Sequence, residues 1–117
     1  CTDVSGFGLA LHLGALLRES GAGAVLELDA LPVLPGAREL VAAGVRSTFH
    51  AQNVAAAAAL CDAVALDGSP TGALLFDPQT SGGLLAAVDP AVVEQLAPAG
   101  FAAVGQVHGG TAAVTLR

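Results

Sequence analysis

The chain has 117 residues, enough for one domain with a real core and hardly enough for two. Ten acids stand against four arginines and no lysine, a net charge of -6, and Arg18, Arg38, Arg46 and Arg117 form no cluster, which argues against a nucleic-acid-binding face. With 54% hydrophobic residues and a mean hydropathy of +0.70 the chain is apolar, yet its richest stretch, NVAAAAALCDAVAL, is broken by Asp62 and falls short of the roughly 20 residues of a membrane span, so a soluble domain with a small-residue core is expected.

TDVSGFGLALHL opens as a short loop leading into a helix. Leu9, Leu13, Leu16 and Leu17 make one helical stripe, and Gly21 and Gly23 supply the stop. AVLELDALP, residues 24–32, has the length and alternation of a strand ended by Pro32. PGARELVAAG predicts a short helix ending at Gly44, VRSTFHAQN a polar loop, and the alanine run from Asn53 to Cys61 a further helix. LDGSPTG is turn chemistry. Residues 73–76 (ALLF) and 84–88 (LLAAV) read as two buried strands flanking a polar string, DPQTSGG. Asp89 and Pro90 predict the start of another helix with Gly100 beyond its end, and the last 17 residues predict two strands in a hairpin about Gly109 and Gly110.

Two segments carry chemistry that apolar packing does not explain. Asp3 precedes a helix start and is followed by Gly6 and Gly8, which let backbone approach a ligand. The carboxylate suits a hard cation such as magnesium, and it equally suits a helix cap. Asp77, Gln79, Thr80, Ser81, Gly82 and Gly83 gather an acid, an amide, two hydroxyls and successive backbone N–H groups that can form an anion-binding nest, or simply a turn between strands. No Gly-Lys-Ser/Thr follows, so a P-loop is excluded.

TDVSGFGLALHL and LLFDPQTSGGLL, in this order and with LPVLPGARELVAAGVRSTFHAQN between them, resemble the paired signatures of the selenophosphate synthetase (selenide, water dikinase) family in its C-terminal domain. More broadly the chain is similar to the C-terminal domains of the aminoimidazole ribonucleotide synthetase-like superfamily. The resemblance implies an α+β fold, a mixed β-sheet with packed α-helices, as a single C-terminal domain over residues 1–117. It implies a transferase, a kinase of selenium metabolism and selenocysteine biosynthesis, that makes selenophosphate, AMP and orthophosphate from ATP and selenide. Asp3 matches the aspartate that helps bind Mg at the ATP phosphates. Gly6, Gly8, Asp77, Gln79, Thr80, Ser81, Gly82 and Gly83 match residues expected to line the same cleft. Ser5 stands where Thr is more usual and keeps the hydroxyl.

In that family the catalytic Cys or selenocysteine and its neighbouring Lys belong to an N-terminal half that these residues do not contain. The chain therefore carries no catalytic residue of its own and is expected to be an inactive, monomeric piece of a cytoplasmic homodimer, with the N-terminal half, ATP and selenide as its partners and neither nucleic acid nor membrane among them. The rival readings are another ATP-dependent synthetase or kinase of the superfamily, which the full DPQTSGGLL string disfavours, and a non-catalytic binding module. Cys1 and Cys61 have no metal-ligand spacing, Cys61 reads as a small core residue, and His12, near the apolar stripe, reads as a hydrogen-bonded partly buried histidine. His50 and His108 are expected in loops, and Arg46 is the one arginine whose polar surroundings suit an anion contact.

Overall fold

A computed structural model describes residues 1–117, and its architecture is α+β, two small sheets with helices packed on them. The first helix, α1 (Gly8–Ser20), is placed by the leucine stripe. Ala10, Leu13, Gly14 and Leu17 are buried, and Gly14 leaves room for the Leu60 side chain. Gly21, at φ 60°, closes it by donating its amide to the carbonyls of Arg18 and Leu17, a left-handed cap that glycine adopts without strain.

The next segment forms β2 (Ala22–Leu26), following a two-residue strand β1 (Thr2–Asp3) that precedes α1. The expected strand over 24–32 stops at Leu26, because residues Leu28–Ala30 close into a 3-10 turn with Leu28 half-buried against the core. Short helices follow: α2 (Ala37–Ala42) between Gly36 and Gly44, both at positive φ, then α3 (His50–Ala57), α4 (Ala63–Asp67) and α5 (Pro70–Ala73). The alanine helix begins three residues before Asn53 and ends before Cys61. The chain bends after Ala57 so that Leu60 enters the core and its carbonyl accepts from Val114 N at 3.0 Å.

Two expected strands are corrected. Residues Leu74–Phe76 form a 3-10 turn, since α5, capped by Ser69 and opened by Pro70, runs straight into them. Of residues 84–88 only Leu84–Leu85 are extended, as β3, which pairs antiparallel with β1. The Asp89–Gly100 segment starts as expected: Asp89 Oδ1 accepts from Ala91 N at 2.8 Å ahead of a 3-10 turn, then α6 (Val93–Leu96), and Gly100 at φ 88° follows its last turn.

The terminal strands, β4 (Gly105–Gly109) and β5 (Val114–Leu116), do not pair with each other. The three-stranded order is β4-β2-β5, with β4 antiparallel and β5 parallel to β2. Gly23 lets the neighbouring chain close over β2: a methyl there would stand 2.5 Å from His108 Cε1 and 3.0 Å from the Thr111 carbonyl oxygen. The core is one cluster, with Ala10, Leu13 and Leu17 of α1 against Ala22, Ala24 and Leu26 of β2, Val114 of β5, Ala57, Ala63, Leu75 and Phe76. No helix is long and apolar enough to cross a membrane.

Candidate functional site

Segments from the two ends of the core meet where β1 pairs with β3. Asp3 lies opposite Leu84, and just beyond the pairing Val4 N donates to Gly83 O at 2.8 Å and Gln79 N to Ser5 O at 3.3 Å. The Asp3–Gly8 loop and the Asp77–Gly83 loop are thus stitched together by backbone hydrogen bonds. Directly opposed residues of an antiparallel pair project to one face, so the Asp3 carboxylate and the exposed Leu84 side chain share a side of this ribbon.

Asp3 is exposed, and its carboxylate makes no hydrogen bond or ion pair within the chain. It does not cap α1: the N-cap residue is Phe7, with no side-chain acceptor and no acid in the first turn. The capping role left open by the sequence is therefore not the one it plays. No group of three His, Cys, Asp or Glu side chains is arranged to hold a metal ion anywhere in the chain. An exposed, unengaged carboxylate fits one position in a magnesium shell, the usual share of a single protein segment where phosphate and water oxygens fill the rest.

The glycines divide by role. Gly8, at φ 79°, has no room for a Cβ, which would stand 2.7 Å from the Leu75 carbonyl oxygen, so its task is to let the α1 start lie on the Leu75–Phe76 backbone. A Cβ on Gly82 would overlap the Val4 carbonyl, whereas Gly6 and Gly83 face open space. Neither Gly82 nor Gly83 adopts a positive φ, so the left-handed residue of an αR-αL nest is absent there and Gly82 serves close backbone approach instead. Thr80 and Ser81 are exposed at the tip, and Gln79 Nε2 donates to the carbonyl and carboxylate of Asp77 at 3.3 and 3.4 Å.

Two side chains support this ribbon from below. His12, one turn into α1, accepts at Nε2 from Ser5 N at 3.1 Å, with Ser5 Oγ 3.4 Å away, matching its expected role as a hydrogen-bonded, half-buried histidine. Asn53, 4% exposed, donates from Nδ2 to Gly6 O at 3.1 Å and to Phe76 O at 2.9 Å. The sequence placed Asn53 at the end of a polar stretch and the start of the alanine helix, without a partner. Its one legible signal was an amide at the head of an alanine helix, on the turn that faces inward.

The remaining polar residues lie away from the ribbon's edge. Arg46, expected to be available to an anion, is engaged within the chain: Nε lies 3.7 Å from Asp67 Oδ1, and Nη1 donates to the carbonyls of Val41 and Val45 at 2.6 and 3.0 Å. His50 is not in a loop but opens α3, buried, with Nε2 2.6 Å from the same carboxylate oxygen. His108 is on the exposed edge strand β4. Burial, and then the neighbouring Asp62, push the Cys61 thiol above its ordinary value, and its Sγ lies 3.8 Å from the Ala57 carbonyl, so it is a packed thiol and not a reactive one. Cys1 is exposed and free.

Comparison with known proteins decides the family. Residues 1–114 match the family described as AIR synthase related protein, C-terminal domain. The chain belongs to that family. This AIR synthase related domain is 43% identical over 96 residues to the selenide, water dikinase of Dechloromonas aromatica (strain RCB), a match covering 81% of the chain and 27% of that protein. Against the selenide, water dikinase of Burkholderia pseudomallei (strain K96243) the identity is also 43%, over 122 residues, covering 97% of the chain and 34% of the relative. The domain thus spans about a third or less of the curated relatives it matches, and the resemblance to the selenophosphate synthetase C-terminal domain holds at this level.

Proposed function

We propose that these residues are the C-terminal part of a selenophosphate synthetase and supply one wall of its Mg-ATP cleft. The observation that carries this is the joining of the two motif loops: a free carboxylate at Asp3 sits on a ribbon whose other strand leaves the Asp77–Gly83 turn. Gly6, Thr80, Ser81 and Gly83 form the exposed surface next to it, with Gln79 and Gly82 half-buried beside them, while Gly8 is buried at the start of α1 and acts only through the backbone it lets close. The reaction of such an enzyme breaks both phosphoanhydride bonds of ATP, joining one phosphoryl group to selenide and passing the other to water, so that selenophosphate, AMP and orthophosphate result.

Phosphoryl transfer depends on positioning and on neutralising charge at the phosphate oxygens. Magnesium, when bound, supplies that neutralisation. Asp3 would hold it from this side, while the exposed Thr80 and Ser81 hydroxyls and the Gly83 backbone would offer neutral donors to phosphate oxygens without adding negative charge. Since no three metal-ligating side chains are grouped in the chain, it has no lysine, and Arg46 is paired with Asp67, the remaining metal ligands and the cationic contacts to phosphate come from outside these residues. The domain alone is then inactive, and the working enzyme is a cytoplasmic dimer that draws on an N-terminal half.

The test is calorimetry of Mg-ATP on the whole product of the reading frame that encodes these residues, on its Asp3→Ala variant, and on the 117-residue domain. The whole protein should bind, Asp3→Ala should bind at least about tenfold more weakly, and the domain should not bind measurably. Unchanged affinity in Asp3→Ala removes the metal role. Tight binding by the domain alone removes the composite cleft.

A further inference from the structure

Of all the side-chain hydrogen bonds in the chain, only those of Asn53 reach both motif segments. Gly6 lies three residues after Asp3, and Phe76 immediately precedes Asp77. The two carbonyls are 47 and 23 residues from Asn53 in sequence, and both are met by the single Nδ2. A primary amide carries two hydrogens in a fixed planar fork, so satisfying both carbonyls fixes their separation and their relative direction. A hydroxyl can serve only one of them, and a carboxylate neither. Asn53 is itself buried on the first turn of α3, which packs on α1, so the fork is anchored to the core and not to either loop.

We propose that Asn53 is a positioning residue. It sets the Asp3 loop against the Asp77–Gly83 loop so that a magnesium-bound triphosphate meets both at once. This rests on the reading of the two loops as the Mg-ATP wall. Asn53 touches neither metal nor nucleotide and acts through the Gly6 and Phe76 carbonyls. A purely structural role for the same amide would lower stability without altering how the folded protein meets Mg-ATP.

The experiment is a double-mutant cycle on the whole reading-frame product, comparing wild type, Asp3→Ala, Asn53→Ser and the double variant. Mg-ATP affinity is read by calorimetry at a temperature where circular dichroism shows every variant folded. Asn53→Ser, which keeps one donor, should weaken Mg-ATP at least about tenfold, and should weaken it little or not at all further when Asp3 is already alanine. Should the serine variant not fold, Asn53→Gln carries the test, since it keeps the amide and displaces it by one methylene; the same loss is expected. If Asp3→Ala weakens binding while a folded Asn53 variant binds as wild type does, or if the two losses simply add, the positioning role is overturned and the cleft reading stands. If Asp3→Ala itself binds normally, the cleft reading fails and the inference with it.

Discussion

A methyl group on Gly82 would occupy the space of the Val4 carbonyl, yet the same group on Gly83 would meet nothing. Gly82→Ala should therefore destabilise the domain by about 2 kcal/mol, the range of a side chain forced into packed surroundings. Gly83→Ala should stay within about 0.5 kcal/mol, as an open surface substitution does. Urea unfolding of the 117-residue chain separates the two, and equal effects would mean the ribbon is not closed as described. In sequence the two glycines look alike. What separates them is Val4, which lies at the far end of the chain and comes near only through the β1–β3 pairing. For the same reason Asp3 was legible as a ligand type but not as an uncapped, free carboxylate. Arg46 misled because the acid that engages it, Asp67, arrives from the end of another helix.

Among the elements, α1 was the most readable, because a repeated leucine spacing and a terminal glycine agree with each other. Residues 73–76 were misread for a physical reason: a four-residue apolar run has no period, and burial alone does not separate a strand from a helical turn. The deciding signal stood just upstream. Ser69 and Pro70 are an N-cap and a first helical residue, and Ser69 Oγ accepts from Gly72 N at 3.0 Å. α5 has only four residues and leads directly into Leu75 and Phe76, the two largest fully buried side chains. Ser69→Ala should lower stability by about 1 kcal/mol, whereas Ser69→Asp, which restores an acceptor, should recover most of it. Thermal unfolding followed by circular dichroism measures both. The terminal hairpin failed as an expectation because turn residues say where a chain reverses, not whether another strand lies in the gap.

At the level of the whole molecule, the domain shows more surface than its size requires. A compact monomer of this mass exposes about 5,700 Å² by the usual scaling. This one exposes 6849 Å² and buries only 20 of its 117 residues. Much of the excess is apolar: Leu34 is 78% exposed, Val64 76% and Phe7 64%. Composition announced the small-residue core but could not announce this, since an apolar residue in sequence carries no mark of whether anything covers it. The isolated domain should enhance the fluorescence of an apolar-surface dye such as ANS at neutral pH while its circular dichroism remains native, and the whole reading-frame product should do so less per mole. Dye fluorescence equal to that of a fully covered small protein would contradict the exposed surface described here.

The position of β2 between β4 and β5 also orders events in time. Its two neighbours are synthesised about 80 residues after it, several seconds later at ordinary rates of translation. Until then β2 has two open edges, and the ribosome holds a nascent chain in which α1 and the short helices after it can form while the larger sheet cannot. The residue after β5 locks it: Arg117 N donates to Leu26 O and Leu28 N to Arg117 O, both at 2.9 Å. Completion of this sheet waits on β5, and a chain halted before β5 would offer its central strand to whatever chaperone or neighbouring chain reached it first.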